Sequence, residues 1–565
     1  MTLDPYEINY QPANQAYDYP LIIKHLLDRA RVVSAEQTIS YADKFTYSYA
    51  EFFGRIARLA NVLASLNLED GDVIAVMDWD THRYLECYFA IPMSKYILQT
   101  VNIRLSPDKV LYTINHAKPK VLLINAEFAP MINDYKHDVP SVEHVIWLDD
   151  NRFVSDVANA TMPPIPMPTD CLGEYEALLK TASDAFEFPD FDENTIATTF
   201  YTSGTTGNPK GVFFSHRQLV LHTISETAAL ALNAGNKGLE NGDVYMPMTP
   251  MFHVHAWGFP YAATMVGLKQ VYPGRYIPSL MVDLIQQHRV NFTHCVPTIL
   301  QMLMQEMASR GGRFEDLTMI IGGAKLTEGL ARAAIAQGIE VFTGYGLSET
   351  CPILSITPFS RDDAYSSDDD VKRRVLTGVP IPFVAVSIVD GEGKSVAHDG
   401  KTAGEITVRT PWLTQSYYKN HDAGEALWEN GWLHTQDIGN INAQGMIQIT
   451  DRLKDVIKSG GEWISSLELE TILSLHPSVA DVAVIGIPDA KWDERPLALI
   501  VLKPQNLDTQ AEDIVALAKQ AAEKGFIPKY AIPHDVKFVT ELPKTSVGKH
   551  DKKVMRQMYA DGLFA

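Results

Sequence analysis

Apolar residues in the first part of the sequence recur at helical spacing and then form a short continuous run. The helical face consists of Phe52, Ile56, Leu59, Leu63 and Leu66. Gly71-Asp72 interrupts this pattern just before the apolar run Val73–Met77. A face that repeats about every 3.6 residues is typical of an amphipathic helix, and a short apolar run after a turn is typical of a buried strand. The pattern therefore predicts a helix, a turn and a buried strand.

The same alternation returns in the middle of the chain. Residues 299–307 have helical spacing, the apolar run Leu317–Ile321 ends at Gly322-Gly323, and residues 326–337 are helical again. Strands that alternate with helices form parallel sheets whose two faces are covered. The pattern predicts the α/β fold class.

Two later segments have different patterns. Residues 384–409 alternate in short runs around glycine-rich turns, which indicates a small β-rich piece. Beyond Asp451, helical and strand-like runs are mixed: helices at 467–475 and 511–522, and strands at 482–487 and 498–502. We therefore place a domain boundary at 452–455, between a large domain (1–451) and a smaller α+β domain (456–565).

Composition narrows the class of protein. The 565 residues carry a formal net charge of -21, which disfavours a general affinity for nucleic acid or anionic lipid. The four cysteines are far apart in sequence, so neither a disulfide framework nor a zinc site is indicated. The polar, acidic start lacks the features of a secretion signal, and no run reaches the roughly 18 apolar residues of a membrane helix. We expect a soluble cytoplasmic protein.

The segment from Tyr201 to Gly211 has the composition of an anion-binding loop. Its glycines allow backbone N–H groups to approach phosphate oxygens, its hydroxyls add donors, and Lys210 adds a positive charge. The candidate phosphate-binding residues are Thr202, Ser203, Gly204, Thr205, Thr206, Gly207 and Lys210. The common phosphate loop has Gly-Lys followed by Ser or Thr, whereas Asn208-Pro209 precedes Lys210 here, which disfavours a GTPase-type fold. The alternative is a flexible surface turn.

A second segment, Gly344-Tyr-Gly-Leu-Ser-Glu-Thr350, follows the apolar pair Val341-Phe342 and so lies at the carboxyl end of a predicted strand, where ligands bind in parallel sheets. Tyr345 can stack on a base. Glu349 offers an oxygen ligand for magnesium, with the hydroxyl of Thr350 beside it. Taken alone, Gly344 and Gly346 are more often part of a simple tight turn.

The third and fourth segments lie towards the C-terminus. Asp437 can bind both hydroxyls of a ribose, and Arg452 can reach the same sugar or a phosphate. Gly460-Gly461 forms a loop without side chains, so a narrow ligand can pass close to its backbone. The last segment, Pro543 to Lys549, can carry Lys549 on a mobile tip, although a solvated basic turn is the plainer interpretation.

Together, these four segments resemble the adenylate-forming superfamily of acyl-CoA synthetases, luciferases and peptide-synthetase adenylation domains. The segment from Met251 to Tyr261 is similar to the medium- and long-chain fatty-acyl-CoA ligases, in which a tryptophan, here Trp257, gates the acyl tunnel. The resemblance implies two doubly wound αβ subdomains and a small β-barrel (about 380–450) in the large domain. It also implies a small α+β C-terminal domain on a hinge at Lys454.

The implied activity is ligation of a fatty acid to coenzyme A through an acyl-adenylate, with ATP, Mg²⁺ and coenzyme A. By the resemblance, Lys210 and residues 202–206 hold the leaving phosphates, Glu349 and Thr205 hold magnesium, and Lys549 neutralises charge at the α-phosphate. Rotation of the C-terminal domain then exchanges Lys549 for the Gly460-Gly461 passage. The remaining implied contacts are Tyr345 with Gly322, Gly323 and Ala324 at adenine, Asp437 and Arg452 at ribose, and His253 at the carboxylate. A homodimer is implied as well.

Some features leave alternatives open. Gln436, Thr410 and Ser416 stand where the family commonly has glycine, and Gln436 lies next to the ribose-binding aspartate. The substrate can instead be an aryl or thioether acid. The adenylate can be oxidised with light emission or passed to a carrier protein, or catalysis can be lost, leaving a nucleotide sensor. A metal pair at His253 and His255 is disfavoured, because no third ligand follows at usual spacing.

Overall fold

Two large, mostly parallel sheets form the body of the protein. The computed structural model describes residues 13–132, 134–150, 167–168, 171–202, 208–233, 239–359, 365–460, 462–544 and 550–564. The first sheet has seven strands in the order β7-β6-β5-β3-β4-β8-β9, all parallel except the last pair. In chain order they are β3 (Val73–Met77), β4 (Ile97–Thr100), β5 (Val121–Asn125), β6 (His144–Leu148), β7 (Gly173–Glu174), β8 (Ile196–Thr202) and β9 (Lys210–Ser215).

The second sheet has nine strands, in the order β16-β15-β14-β13-β12-β10-β11-β1-β2. Its members are β1 (Thr38–Tyr41), β2 (Phe45–Ser48), β10 (Val244–Pro247), β11 (Lys269–Tyr272), β12 (Phe292–Cys295), β13 (Leu317–Ile321), β14 (Ile339–Gly346), β15 (Ile353–Ile356) and β16 (Val379–Pro380). The N-terminal hairpin β1–β2 joins this sheet through parallel pairing of β1 with β11. The beginning of the chain therefore ties the two halves of the large domain together.

Helices accompany both sheets. They are α1 (Asp28–Val33), α2 (Tyr49–Ala64), α3 (His82–Met93), α4 (Pro107–Ala117), α5 (Tyr135–Asp138), α6 (Tyr175–Thr181), α7 (His216–Ala231), α8 (Phe259–Val266), α9 (Pro278–His288), α10 (Pro297–Ser309), α11 (Glu328–Ala336), α12 (Asp368–Arg374) and α13 (His421–Glu425). Local chemistry fixes several helix starts. The Ser48 hydroxyl accepts from the backbone N–H of Glu51 while the Glu51 carboxylate accepts from that of Ser48, which satisfies two donors at the start of α2.

Two smaller sheets follow. The third contains β17 (Ala385–Val389), β18 (Gly404–Arg409), β19 (Trp428–Glu429), β20 (Trp432–Ile441) and β21 (Ile447–Arg452), all antiparallel. The fourth contains β22 (Ile457–Ser459), β23 (Glu462–Ile464), β24 (Val479–Asp489), β25 (Asp493–Leu502) and β26 (Asp535–Phe538). It packs with α14 (Ser466–Ser474), α15 (Ala511–Glu523) and α16 (Lys552–Ala560).

The predicted fold class is confirmed: two doubly wound αβ units, a small β unit and a small α+β unit at the C-terminal end. The predicted strands at 73–77 and 317–321 are present with those bounds. The predicted helix at 326–337 is shorter, because Thr327 caps its N-terminus by accepting from the backbone N–H of Leu330. The boundaries of the domains and the hinge at 452–455 stay predictions. In the part of the chain that the structure describes, no helix is both long and apolar enough to cross a membrane.

Candidate active site

The glycine-rich loop joins two antiparallel strands at one edge of the first sheet. Thr202 ends β8, Lys210 begins β9, and the two are register partners. The hairpin therefore holds the base of the loop in a fixed position. Five of its predicted phosphate ligands, Ser203, Gly204, Thr205, Thr206 and Gly207, lie outside the described residues.

Tyr417 connects Lys210 to Glu349. The Lys210 ammonium lies 4.6 Å from the centroid of the Tyr417 ring, and the Tyr417 hydroxyl donates a 2.7 Å hydrogen bond to Glu349 Oε1. Tyr417 is held there because the next residue, Tyr418, donates its backbone N–H to the Gly211 carbonyl on β9. Burial, with Glu349 adding to the effect, raises the pKa of Tyr417, so its hydroxyl stays a donor.

Glu349 lies on a short turn directly after β14. The Thr414 backbone N–H donates to the Glu349 carbonyl at 3.0 Å, and the buried Thr350 hydroxyl bonds within the turn itself. A Cβ on Gly346 would lie 1.8 Å from the Pro352 carbonyl oxygen, so this position accepts only glycine. The turn thus fixes a half-buried carboxylate at the carboxyl end of a strand. A carboxylate suits the magnesium ion that accompanies ATP phosphates; Thr205, the other predicted ligand, is outside the described residues.

Asp437 is held between two partners that the sequence had assigned to the nucleotide. The Tyr345 hydroxyl donates to Asp437 Oδ2 at 2.8 Å, and Arg452 Nε lies 3.0 Å from Asp437 Oδ1. Asp437 and Arg452 are also register partners on β20 and β21. The Asp437 carboxylate is the main cause of the raised pKa of Arg452, and Glu349 adds a smaller contribution. Because Tyr345 lies on β14 and Glu349 lies on the turn that follows this strand, the two clusters are adjacent.

Trp257 meets this site at Gly322. A Cβ on Gly322 would lie 2.8 Å from Trp257 Cη2 and 2.9 Å from the Gly344 carbonyl oxygen. Gly322, the residue after β13, donates its N–H to the Cys295 carbonyl, and the exposed Gly323 that follows has φ +73°. Ala324 is exposed beside it. The adenine-binding turn predicted from the sequence therefore contacts the predicted acyl gate.

The gate residue lies on an unusual turn. Val254, His255, Ala256 and Trp257 all have φ between +47° and +61°, and Gly258 has φ +87°. A run of non-glycine residues in the left-handed region is strained, because each Cβ crowds the backbone. The half-buried His253 precedes this turn. Its backbone carbonyl accepts a 3.1 Å hydrogen bond from the Ala256 N–H, which closes the turn.

Three side chains of the first αβ unit hold the segment that leads into this turn. Asp80 accepts from the Met251 N–H at 2.8 Å, Tyr88 donates to the Met251 carbonyl, and Thr100 donates to the Phe252 carbonyl at 3.1 Å. We call Asp80, Tyr88 and Thr100 the clamp. Asp80 also accepts from the Tyr276 hydroxyl at 2.5 Å.

Two further predicted residues lie in the C-terminal unit. Gly460, with φ +62°, donates to the Trp492 carbonyl and packs on the Trp492 ring. Lys454 is exposed on the connection between β21 and β22. Gly461 and Lys549 lie outside the described residues. Among the residues that are described, no group of three or more His, Cys, Asp or Glu side chains is arranged to hold a metal.

Gln436 has a conformation that explains the glycine expected there. Its φ is +59°, in the left-handed region, and its side chain is exposed. Its N–H donates to Glu405 and its carbonyl accepts from Leu453, so the backbone is fixed on both sides. Of the other two departures, Thr410 accepts from the Trp412 N–H, and Ser416 would collide with a Cβ on Gly424.

Tyr417 and the clamp were not predicted from the sequence. Tyr417 lies in the segment containing Ser416, which is recognisable, but nothing in its local pattern shows that its ring reaches Lys210. Asp80 follows β3, at the end of a predicted strand, and this position is the one signal that pointed to it.

Solved structures with the same fold include CoA ligases and related enzymes. The ATP-bound MatB from Rhodopseudomonas palustris superposes with a TM-score of 0.80 at 23% identity, covering 97% of this chain and 100% of that one. The anthranilate CoA ligase AuaEII in complex with anthranoyl-AMP gives the same TM-score at 23% identity, over 96% and 99% of the two chains. At this identity the likeness establishes the fold alone.

Sequence relatives are closer. A long-chain-fatty-acid–CoA ligase of Thermus thermophilus is 38% identical over 539 residues, 94% of this chain and 93% of the relative. A 3-methylmercaptopropionyl-CoA ligase of Ruegeria lacuscaerulensis is 35% identical over 97% of this chain and 99% of the relative. The family profile described as AMP-binding enzyme matches residues 27–418, and its C-terminal domain profile matches 468–549. The chain thus belongs to the AMP-binding enzyme family, as its four motifs predicted.

Proposed function

We propose that this enzyme is an ATP-dependent acid–thiol ligase that joins a medium- or long-chain fatty acid to coenzyme A. The observation that carries the proposal is the set of contacts from Lys210 through Tyr417 to Glu349, with Asp437 and Arg452 joined to the strand before Glu349 by the hydrogen bond from Tyr345. Such a set of side chains suits a nucleoside triphosphate, because the lysine and the arginine can bind phosphate and the carboxylates can bind a metal ion or a ribose hydroxyl. Trp257, at the edge of that site, suits an apolar chain.

In the first half-reaction, a carboxylate oxygen of the acid attacks the α-phosphorus of ATP. The bond to the β-phosphate oxygen breaks, which gives acyl-AMP and pyrophosphate. Lys210 and the loop hydroxyls hold the leaving phosphates, and Lys549 offsets the charge that grows at the α-phosphate. Glu349 fits a magnesium ion, which when bound would neutralise phosphate charge. Asp437 and Arg452 hold the ribose.

In the second half-reaction, the thiolate of coenzyme A attacks the carbonyl carbon and AMP leaves. We propose that the C-terminal unit turns about Lys454 between the two steps, taking Lys549 away and bringing the Gly460-Gly461 passage to the site. The exposed position of Lys454, on the connection between two sheets, supports this role.

The identity of the carboxylic acid is a separate part of the proposal. The name of the Thermus relative favours a long-chain fatty acid, whereas that of the Ruegeria relative favours a short thioether acid. An aryl acid remains a third candidate, and an acceptor other than coenzyme A is the alternative second step. The homodimer is also part of this proposal, and light scattering of the purified protein tests it.

Product analysis tests the activity. Purified enzyme is incubated with ATP, magnesium, coenzyme A and single acids from a panel of saturated, aryl and thioether acids. We expect AMP, pyrophosphate and an acyl-CoA in equal amounts, with the highest kcat/KM for a saturated acid. The Glu349→Gln variant serves as the negative control. Formation of ADP and phosphate would overturn the proposal, and acyl-AMP that accumulates in the presence of coenzyme A would favour another acceptor.

A further inference from the structure

Helix α7 carries a carboxylate with no hydrogen-bond partner in the protein interior. Glu226 is completely buried, and neither of its carboxylate oxygens has such a partner among the residues that the structure describes. The nearest cation-forming group is His222 Nδ1, 3.8 Å from Glu226 Oε2, which is beyond hydrogen-bond distance. Buried carboxyl groups without partners are rare, because losing water without replacement is unfavourable.

The surroundings of Glu226 place it beside the acyl gate. A Cβ built on Gly258, the residue after Trp257, would lie 3.0 Å from Glu226 Oε1 and 2.9 Å from His222 Cε1. The carboxyl group therefore faces the left-handed turn that carries the gate.

The other side of the cluster reaches the start of β15, the strand that follows the turn carrying Glu349. His222 Nε2 accepts from the Ile353 N–H at 3.0 Å, so His222 lies next to the residues that follow Glu349. Burial raises the pKa of the Cys351 thiol, and Glu226 adds a smaller contribution. Glu226 and His222 thus lie between the turn that carries the gate and the start of β15.

His255 adds a second unsatisfied group. It is completely buried on the left-handed turn, and neither ring nitrogen has a hydrogen-bond partner within the described part of the chain. Burial lowers the pKa of His255 and of His222 to about 3, and burial raises that of Glu226 well above its usual range. Together, a carboxyl group and two imidazole rings offer both hydrogen-bond donors and acceptors.

A purely aliphatic chain leaves these buried polar groups unsatisfied. A hydroxyl group both donates and accepts, and it carries no charge. We infer, resting on the ligase function proposed above, that Glu226, His222 and His255 form a polar subsite for the acyl chain and that the enzyme prefers acids with a hydroxyl group on that chain.

Matched pairs of acids test the inference. Hydroxylated and unsubstituted straight-chain acids of equal length, with the hydroxyl at each position in turn, are compared by kcat/KM for acyl-CoA formation. For at least one position we expect the wild-type enzyme to favour the hydroxylated acid by about 10- to 100-fold, because a site with buried polar groups discriminates against an analogue that leaves them unpaired.

Two substitutions locate the preference. Glu226→Leu is expected to bring the ratio of hydroxylated to unsubstituted kcat/KM to about one or lower, whereas Glu226→Gln, which keeps a donor and an acceptor, retains most of it. Ile224→Ala, on an exposed residue of the same helix, is the matched control and should leave the ratio as in wild type.

The inference and the ligase proposal fail in different ways. Wild-type enzyme that forms acyl-CoA but shows no preference for any hydroxylated acid overturns the polar subsite alone, whatever the variants do. A preference that survives Glu226→Leu overturns the assignment to Glu226. Enzyme that forms neither adenylate nor thioester with any acid overturns the ligase proposal.

Discussion

Tyr417 joins two residues that the sequence treats as members of separate motifs. Its ring supports the Lys210 ammonium and its hydroxyl holds the Glu349 carboxylate. The ammonium lies over the face of the phenol and the carboxylate lies at its hydroxyl, and we propose that both act on the phosphates of one nucleotide.

Two substitutions distinguish the residue that positions the Glu349 carboxylate from the carboxylate itself. Tyr417→Phe keeps the ring beneath Lys210 and removes one hydrogen bond, so we expect kcat for adenylation to fall by about 10-fold or less. Glu349→Gln removes the proposed magnesium ligand, and we expect a fall of about 100-fold or more. Both are measured as acid-dependent pyrophosphate release. Equal losses in the two variants would contradict the division of roles.

The sequence assigned Asp437 and Arg452 to the same ribose because both residues carry charge inside recognisable motifs, and the structure shows them 3.0 Å apart. It did not predict Tyr417 or Glu226, since each acquires its significance from neighbours far away in the chain. A tyrosine near glycines and a glutamate on a helix have ordinary local patterns. Their roles depend on which strands become adjacent, and no local periodicity encodes that.

At the scale of elements, the left-handed turn from Val254 to Gly258 is held at one end by the clamp and packed at the other against α7. Strain in such a turn persists only when surrounding contacts fix it. The shape of the turn therefore depends on groups from both αβ units.

The turn is expected to control which acids bind, with little effect on the nucleotide. Trp257→Ala removes the ring that contacts Gly322, so we predict a changed chain-length preference in kcat/KM and a KM for ATP within about threefold of wild type. A series of acids of increasing length, assayed with both proteins, measures this. An unchanged preference would remove Trp257 as the gate.

The clamp makes stability depend on pH in a defined direction. Burial raises the pKa of Asp80 from 3.8 to about 7. The folded state then binds this proton more tightly than the unfolded chain, so Asp80 contributes a loss of stability as pH rises between these values. The Asp80→Asn side chain cannot ionise. We therefore expect the thermal midpoint of Asp80→Asn, relative to that of wild type, to be higher at pH 8 than at pH 5.

Thermal scans of both proteins at the two pH values measure this, with Asp43→Asn, at an exposed position, as the control. A difference between Asp80→Asn and wild type that is the same at pH 5 and pH 8 would show that Asp80 ionises normally.

Elements were predicted better than their arrangement. Helix α2 and strands β3 and β13 follow from local spacing and caps, so their positions were readable. The pairing of β1 with β11 was not readable from the sequence. It joins segments that are far apart in the chain, and local pattern does not specify which strand pairs with which.

At the scale of the whole molecule, the C-terminal unit is attached through a compact polar junction. Asp451 accepts from the Ser466 hydroxyl at 2.7 Å, and Lys552 donates to the same hydroxyl at 2.6 Å. Outside this junction, Lys325 donates to Thr471 at 2.9 Å across the two units. A single exposed hydrogen bond contributes little, so this contact does not oppose the proposed rotation.

The rotation predicts that the two half-reactions respond differently to one substitution. Lys549→Ala should slow adenylation by about 100-fold or more, because it removes a positive charge at the α-phosphate. It should leave the conversion of supplied acyl-AMP and coenzyme A to thioester close to the wild-type rate. Rapid-quench assays of each half-reaction measure the two rates, and equal loss in both would argue against the exchange of Lys549 for the glycine passage.

The central claim is that one site activates a carboxylic acid on the α-phosphate of ATP. The most direct measurement is exchange of labelled pyrophosphate into ATP, with each acid of the panel and without coenzyme A. The account predicts that exchange requires an acid. It also predicts that Glu349→Gln and Asp437→Ala each reduce the exchange rate by about 100-fold or more. Exchange without any acid, or none with any acid while ATP is hydrolysed to ADP, would contradict it.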